Sequence, residues 1–362
     1  MLGAMLSGDY PRSRLLAAVL IAILVGLALA PFVFPGTRSL NVAAKVLVFI
    51  VLVASYDLLL GYTGIVSFAH TMFFGIGGYG IGIASAKLGP TWSSLAMGSG
   101  IALVLAVVLA FCIGLLSLRV KTIFFAMITL AVASFFLILA SQLSSLTGGE
   151  DGLNYKLPNL LLPGNRLLET PLLGVEITGR LVSYYFVFFT ALALFLLLLR
   201  VVNSPFGRVL LSIRENEFRA EALGYRTVVY RTIANCLAAA TAAAAGILYA
   251  VWLRYTGPDT TLSFNIMIDI LLMVVIGGMG TMYGAVIGAT LFVLAQNYLQ
   301  DLMKLASGAA EGIPLLPNLL HPDRWLLWLG VLFIVCVYYF PLGIVGRLRQ
   351  KAAGRKADSS AP

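Results

Sequence analysis

The chain has 362 residues, of which 60% are hydrophobic and only 11% charged, with mean hydropathy +0.98. A soluble domain carries about a quarter of its residues as charges, so this balance points to a polytopic membrane protein. The formal charge of +9 would suit nucleic acid, but placing the charges relative to a bilayer removes that reading.

The first apolar run, "LLAAVLIAILVGLALAPFVF", follows Arg12 and Arg14 and contains Ala28-Leu29-Ala30, which imitates a signal-peptide cleavage site. It is longer than a usual signal core and continues through Phe34, so a retained helix over about 15–35 is expected. Further apolar segments follow at about 42–60, 63–86, 95–118, 122–145, 181–201, 231–254, 264–278, 282–300 and 324–346. The eighth is short enough to be broken or re-entrant. The expected fold is all-α: a membrane domain over 15–346 with about ten transmembrane segments, between a cytoplasmic N-terminus (1–14) and a cytoplasmic basic tail (347–362).

With both termini cytoplasmic, 15 of the 24 Lys and Arg fall inside. They group at Arg12 and Arg14, at Arg119 and Lys121, between Arg200 and Arg231, and in the tail from Arg347. Eight of the 15 acids fall outside and five inside, with Asp57 and Asp269 inside membrane segments. This asymmetry is the positive-inside signature. The charge therefore reports topology and a lipid bilayer, not a nucleic-acid partner.

The stretch "GIVSFAHTMFFGIGGYG" (64–80) places Ser67, His70 and Thr71 in an apolar setting. On a continuous helix Ser67 and His70 are close enough to hydrogen-bond. A hydrolase would also need an oriented third group and an oxyanion hole, and the preceding residues do not form a G-x-S-x-G elbow. No catalytic residue is therefore assigned. His70 is expected to be either a structural brace or, with Asp57 and Ser67, a wall of a translocation path. Gly75, Gly78 and Gly82 share one helical face, suited to close helix packing. Cys112, Cys236 and Cys336 lie far apart in apolar runs, without metal-ligand spacing, and are expected to be buried inert thiols. No metal site is indicated.

Residues 147–179 form a long extracytoplasmic loop rich in Gly, Pro and Leu, suited either to a partner or to simple surface packing. Residues 203–226, "NSPFGRVLLSIRENEFRAEALGYR", are expected to form one capped cytoplasmic helix, with Ser204 as N-cap, Pro205 at its first position and Gly224 at its end. Phe206, Val209, Leu210, Ile213, Glu217 and Ala220 share a face. Acids interleave with the basic residues elsewhere, which favours docking to a protein over docking to anionic lipid. "GGMGT" (277–281) interrupts a hydrophobic run, as broken transporter helices do near binding sites, which adds Gly277 and Gly278 to the candidate path. Gly280, Gly284 and Gly288 form two overlapping G-x-x-x-G units for packing.

"SPFGRVLLSIRENEFRAEALGYRTVVYR" closely resembles the coupling segment of ABC-importer permeases of the branched-chain amino acid family, LivM type. "DLLLGYTGIVSFAHTMFFGIGGYG", "LTGGEDGL" and "IDILLMVVIGGMGTMYGAVIGA" extend the resemblance in the same order. Asp57 departs from the family pattern, where Asn is more usual, and Ala69 replaces a common Gly. The resemblance implies that Arg208, Arg214, Glu215, Asn216, Glu221, Ala222 and Gly224 couple the chain to a cytoplasmic ATPase. It also implies a bacterial inner-membrane complex with a second LivH-like permease, two ATPase subunits and an extracytoplasmic solute-binding protein. The chain contains no G-x-x-x-x-G-K-[ST], so no cofactor is expected on it, and ATP would bind the partner subunits. Two alternatives stay open at this point: a urea or short-chain amide permease, and a self-sufficient secondary transporter using Asp57 or Asp269.

Overall fold

The computed structural model describes residues 14–34, 36–117, 122–165, 178–309, 321–340 and 343–347. The terminal segments 1–13 and 348–362, and the part of the long loop from 166 to 177, lie outside the described residues. Helix α1 (Arg14–Val33) contains Pro31, which has no N–H to offer the carbonyl of Leu27. The hydroxyl of Tyr184 donates to that carbonyl at 2.6 Å, and Tyr185 donates to Ala28 O at 2.9 Å. These bonds dock the first helix onto α7 (Gly179–Val202).

The centre of the fold is α2 (Thr37–Thr63), whose most apolar stretch is 94% buried, against 17% for α1. Around α2 stand α3 (His70–Leu88), α7, α10 (Thr227–Leu253), α12 (Phe264–Gly277) and α13 (Met282–Ala309). Helices α4 (Trp92–Ser117) and α5 (Thr122–Gln142) leave Met97, Ile101, Val104, Phe124 and Met127 exposed, as lipid-facing helices do. Cys112 belongs to this exposed set and Cys236 and Cys336 are half-exposed, so the expectation of three buried thiols is corrected. These positions face outward from helices whose other sides are packed.

Among the described residues eight segments are long and apolar enough to cross a membrane. They correspond to α1, α2, α4, α5, α7, α10, α13 and to α12 together with the short α11 (Pro258–Thr261) before it. Glycines, His70 and Lys87 dilute the hydropathy of α3, and α14 (Trp325–Tyr339) is 15 residues long.

The third helix begins at His70, not near 63. Gly64 adopts φ 72° and its N–H caps Leu59 O, a left-handed stop that suits glycine. Residues 64–69 are consequently non-helical. In the long loop, a helical turn α6 (Ser144–Thr147) leads to a strand β1 (Leu153–Asn154), which pairs antiparallel with β2 (Tyr255–Thr256) after α10. Tyr155 is buried beside it and donates to Ala250 O at 2.9 Å. Burial pushes its hydroxyl well above the ordinary tyrosine range, so it stays a donor.

The segment 203–226 is a pair of helices. α8 (Pro205–Glu215) and α9 (Glu217–Ala222) are separated at Asn216. Asn216 is extended (φ −158°, ψ 99°) and its Oδ1 accepts from Arg219 N at 2.9 Å. The expectation of one rigid helix is thus corrected, because Asn216 caps a new start where its side chain outcompetes the continuing helix. Pro205 opens α8, but Ser204 Oγ donates backward to Val201 O at 2.6 Å and makes no side-chain cap.

Candidate functional site

The two glycine-rich breaks converge on one side chain of α8. Arg214, in the last turn of α8, donates through Nη1 to Gly61 O at the end of α2. Its aliphatic stem lies against Gly64, and a Cβ on Gly280 would stand 3.0 Å from its Nη1. Gly280 N donates to Asp57 Oδ1 at 2.8 Å. A Cβ on Gly61 would overlap both Asp57 Oδ1 and Gly280 N. Asp57, Gly61, Gly280 and Arg214 therefore form one close-packed node joining α8, α2 and the turn between α12 and α13.

That turn is held open by backbone conformation. Gly278 and Gly280 have φ 115° and 76°, a region costly for residues with a Cβ. A Cβ on Gly277 would overlap Gly284 O, and one on Gly288 would overlap Met273 O. Gly284 and Gly288 thus let α13 lie against the end of α12, whereas Gly280 sits in the turn. The expected single stripe of three packing glycines is divided by this turn. Residues 343–347 are helical, and a Cβ on Gly343 would overlap Gly278. Chain from near the C-terminus thereby covers the same break.

His70 and Ser67 are not brought together as the helical spacing suggests, because Ser67 precedes the helix. Ser67 Oγ meets Ala69 N at 3.4 Å, while His70 Nε2 lies 2.7 Å from Ser55 Oγ. Ser55 donates its single hydroxyl proton to Leu52 O at 2.7 Å, so His70 Nε2 must carry the proton and donate. Nδ1 is buried without a partner, and the ring stands edge-on to Tyr56 at 5.2 Å. His70, Ser67 and Asp57 are each 1% exposed or less. These contacts make His70 a brace between α2 and α3.

Gly75, Gly78 and Gly82 face Leu262, Thr256 and Tyr155, the connections at the other end of the bundle. The closest helix approach uses different glycines: a Cβ on Gly77 would overlap Ala243 O, and one on Gly246 would overlap Phe74 O. This pair seats α3 against α10. Reading one stripe of glycines on α3 overlooked it, although "FFGIGGYG" holds Gly77 in plain view.

On the pair α8 and α9 and the turn after them, Leu210, Ile213 and Ala220 are buried, and Arg208, Glu215, Asn216, Glu221, Ala222 and Gly224 are exposed. Arg231 of α10 pairs with Glu217, and Thr227 donates to Glu221 Oε1 at 2.8 Å. Both bonds fasten α9 to the start of α10. Phe218 and Leu223 are 86% and 72% exposed, a pair of apolar side chains that the face analysis missed because it followed only the buried stripe. Asp269 accepts from Gln296 Nε2 at 3.2 Å, and Gln296 Oε1 accepts from Lys45 Nζ at 2.8 Å. Lys45 lies within α2 about two turns from its start.

A family profile described as "Branched-chain amino acid transport system / permease component" matches residues 38–337. The chain is similar to the high-affinity branched-chain amino acid transport system permease protein LivM of Escherichia coli K12, 25% identical over 318 residues. That alignment covers 84% of this chain and 73% of the relative. It is also similar to the probable branched-chain amino acid transport permease protein LivM of Methanocaldococcus jannaschii, 28% identical over 298 residues, or 78% and 80% of the two chains. No solved structure matches.

Proposed function

The chain belongs to the family of branched-chain amino acid transport permeases, and we propose that it carries leucine, isoleucine and valine through the cytoplasmic membrane as one subunit of an ABC importer. In this reading it works beside a second related permease, receives substrate from an extracytoplasmic binding protein and is driven by two cytoplasmic ATPases. ATP binds and is hydrolysed on those partners, and this chain makes no covalent change to its substrate. Both termini lie in the cytoplasm.

The observation that carries this reading is the Arg214 node. A transporter driven from the cytoplasm needs a stiff link from the docking surface to the bundle. α8 and α9 supply it through Arg214, which reaches the end of α2 and stands against the α12–α13 turn. Exposed Phe218 and Leu223 offer apolar anchors, with Arg208, Glu215 and Glu221 around them to set register. Movement of the ATPases would shift this pair, and the node would pass that shift to α2 and the broken helix.

The deciding experiment reconstitutes the chain with these partners in proteoliposomes. Leucine uptake that requires both ATP and the binding protein is expected. Uptake by the chain alone, driven by an ion gradient, would overturn the proposal.

A further inference from the structure

Opposite the Arg214 node, a cavity of about 410 Å³ opens among the N-terminal turns of α2, the end of α10 and α13. Its size falls within the range of small-molecule sites, about 300–1,000 Å³. Val42, Tyr249 and Trp252 form an apolar wall, and Asn41, Lys45 and Asn297 supply polar groups. Arg180 holds the rim by donating to Thr37 O at 3.2 Å and Asn41 Oδ1 at 3.1 Å. Lys45 lies about 24 Å along α2 from Gly61, at 1.5 Å per residue, so cavity and node sit toward opposite ends of one buried helix.

Of the next groups only Lys45 lines the cavity; Gln296 and Asp269 lie outside its lining and are reached through Lys45 in a particular order. Lys45 Nζ donates to the Gln296 amide oxygen, and the Gln296 amide nitrogen donates to Asp269 Oδ2. The amide thus presents an acceptor to a cation and a donor to an anion. An α-amino acid presents the same pair with full charges: its carboxylate matches Lys45 and its ammonium matches Asp269. A cation and an acid inside membrane helices are costly unless paired or used, and here a neutral amide separates them. The aromatic and aliphatic wall beside Lys45 suits a branched side chain.

We propose that this cavity is the membrane-side station for the zwitterionic amino acid. Its carboxylate binds Lys45 and its ammonium binds Asp269, and it displaces the Gln296 amide that bridges them. The assignment rests on the importer reading above and adds the site that accepts substrate from the binding protein. It moves the expected path away from Ser67 and His70, which are packed inside protein, to residues on α2, α12 and α13.

The test uses the complete transporter in proteoliposomes, with radiolabelled leucine uptake and the amount and thermal stability of the chain measured together. Lys45→Gln and Asp269→Asn are expected to lower uptake at least tenfold. Gln296→Ala is expected to retain uptake with KM unchanged or lower, because it removes only the placeholder. Asn41→Trp, at an exposed position on the wall one turn before Lys45, is expected to block uptake by filling the cavity while both charged side chains stay in place. It therefore decides the matter even if the charge variants fold poorly. Uptake at the wild-type rate by Asn41→Trp, or by well-folded Lys45→Gln and Asp269→Asn, overturns the proposal. So does a Gln296→Ala variant as impaired as Lys45→Gln, since the three groups would then be a structural brace. A wild-type complex that takes up no branched-chain amino acid instead overturns the importer reading, and this site with it.

Discussion

Arg214 of helix α8 donates a hydrogen bond to the carbonyl oxygen of Gly61, 153 residues earlier in the chain. Gly61 lies near the end of α2, whose most apolar stretch is 94% buried, and Gly280 of the broken segment touches both residues. Any force applied to α8 therefore reaches two membrane elements through one side chain. A charge-assisted hydrogen bond contributes about 1.5–3 kcal/mol, enough to bias a two-state transporter by a factor of about ten or more.

Replacing Arg214 with Ala is expected to uncouple the transporter. ATP hydrolysis by the assembled complex should persist while leucine moved per ATP falls about tenfold, as read by parallel ATPase and uptake assays. Unchanged stoichiometry would remove Arg214 from the coupling path.

Phe218→Ala with Leu223→Ala is expected to leave the isolated chain as stable as wild type, within about 0.5 kcal/mol for exposed positions. Affinity for the ATPase subunits should fall about tenfold or more if these are interface anchors. Binding isotherms with the purified ATPase, together with thermal unfolding of the permease, separate the two effects.

Gly61→Ala places a methyl group where Asp57 Oδ1 and the Gly280 backbone already sit. Overpacking of this kind costs about 1–3 kcal/mol. Gly78→Ala meets side-chain methyl groups at 3.2 and 3.4 Å and should cost less. The melting temperature of the first variant is expected to fall clearly below that of the second.

Ser55→Ala leaves the His70 Nε2–H buried without its acceptor, at a cost of about 1–3 kcal/mol. Ser67→Ala removes only a 3.4 Å contact with Ala69 N and should cost less than Ser55→Ala. Thermal unfolding of both distinguishes a bracing histidine from the Ser67–His70 pair that helical spacing suggested. Equal losses would count against the brace.

Asp57→Asn keeps an oxygen acceptor for Gly280 N and replaces Oδ2, which is buried without a partner. Leucine uptake is expected to be retained within about twofold, whereas Asp57→Ala should lose stability by about 1–3 kcal/mol for the orphaned amide. An Asp57→Asn variant that folds and assembles but takes up no leucine would assign Asp57 a different role, that of an ion-coupling carboxylate.

The apolar runs and their flanking cations specified nearly all the helices, because burial of backbone in lipid demands helix and repeats that demand every crossing. Asn216 escaped notice as a break because Ser204, Pro205 and Gly224 all argue for one helix. Only its own side chain, engaged by Arg219 N, argues for two. His70 was legible as a costly polar residue, but its partner was not. The left-handed turn at Gly64 removes Ser67 from the helix and leaves His70 facing Ser55.

By itself, then, the order of residues determined that this is a helical membrane protein, where most of its long helices run, and that "GGMGT" interrupts one of them. Hydropathy, helix caps and glycine conformations are local properties, legible within a turn or two. The tertiary structure decided that Arg214 meets Gly61 and Gly280, and that Gly77 rather than the Gly75–Gly78–Gly82 stripe seats α3 on α10. It also decided that Lys45 and Asp269 share the amide of Gln296. These pairings join residues up to 251 positions apart. They depend on the rotation and depth of each helix against its neighbours, which close packing sets jointly for the whole bundle.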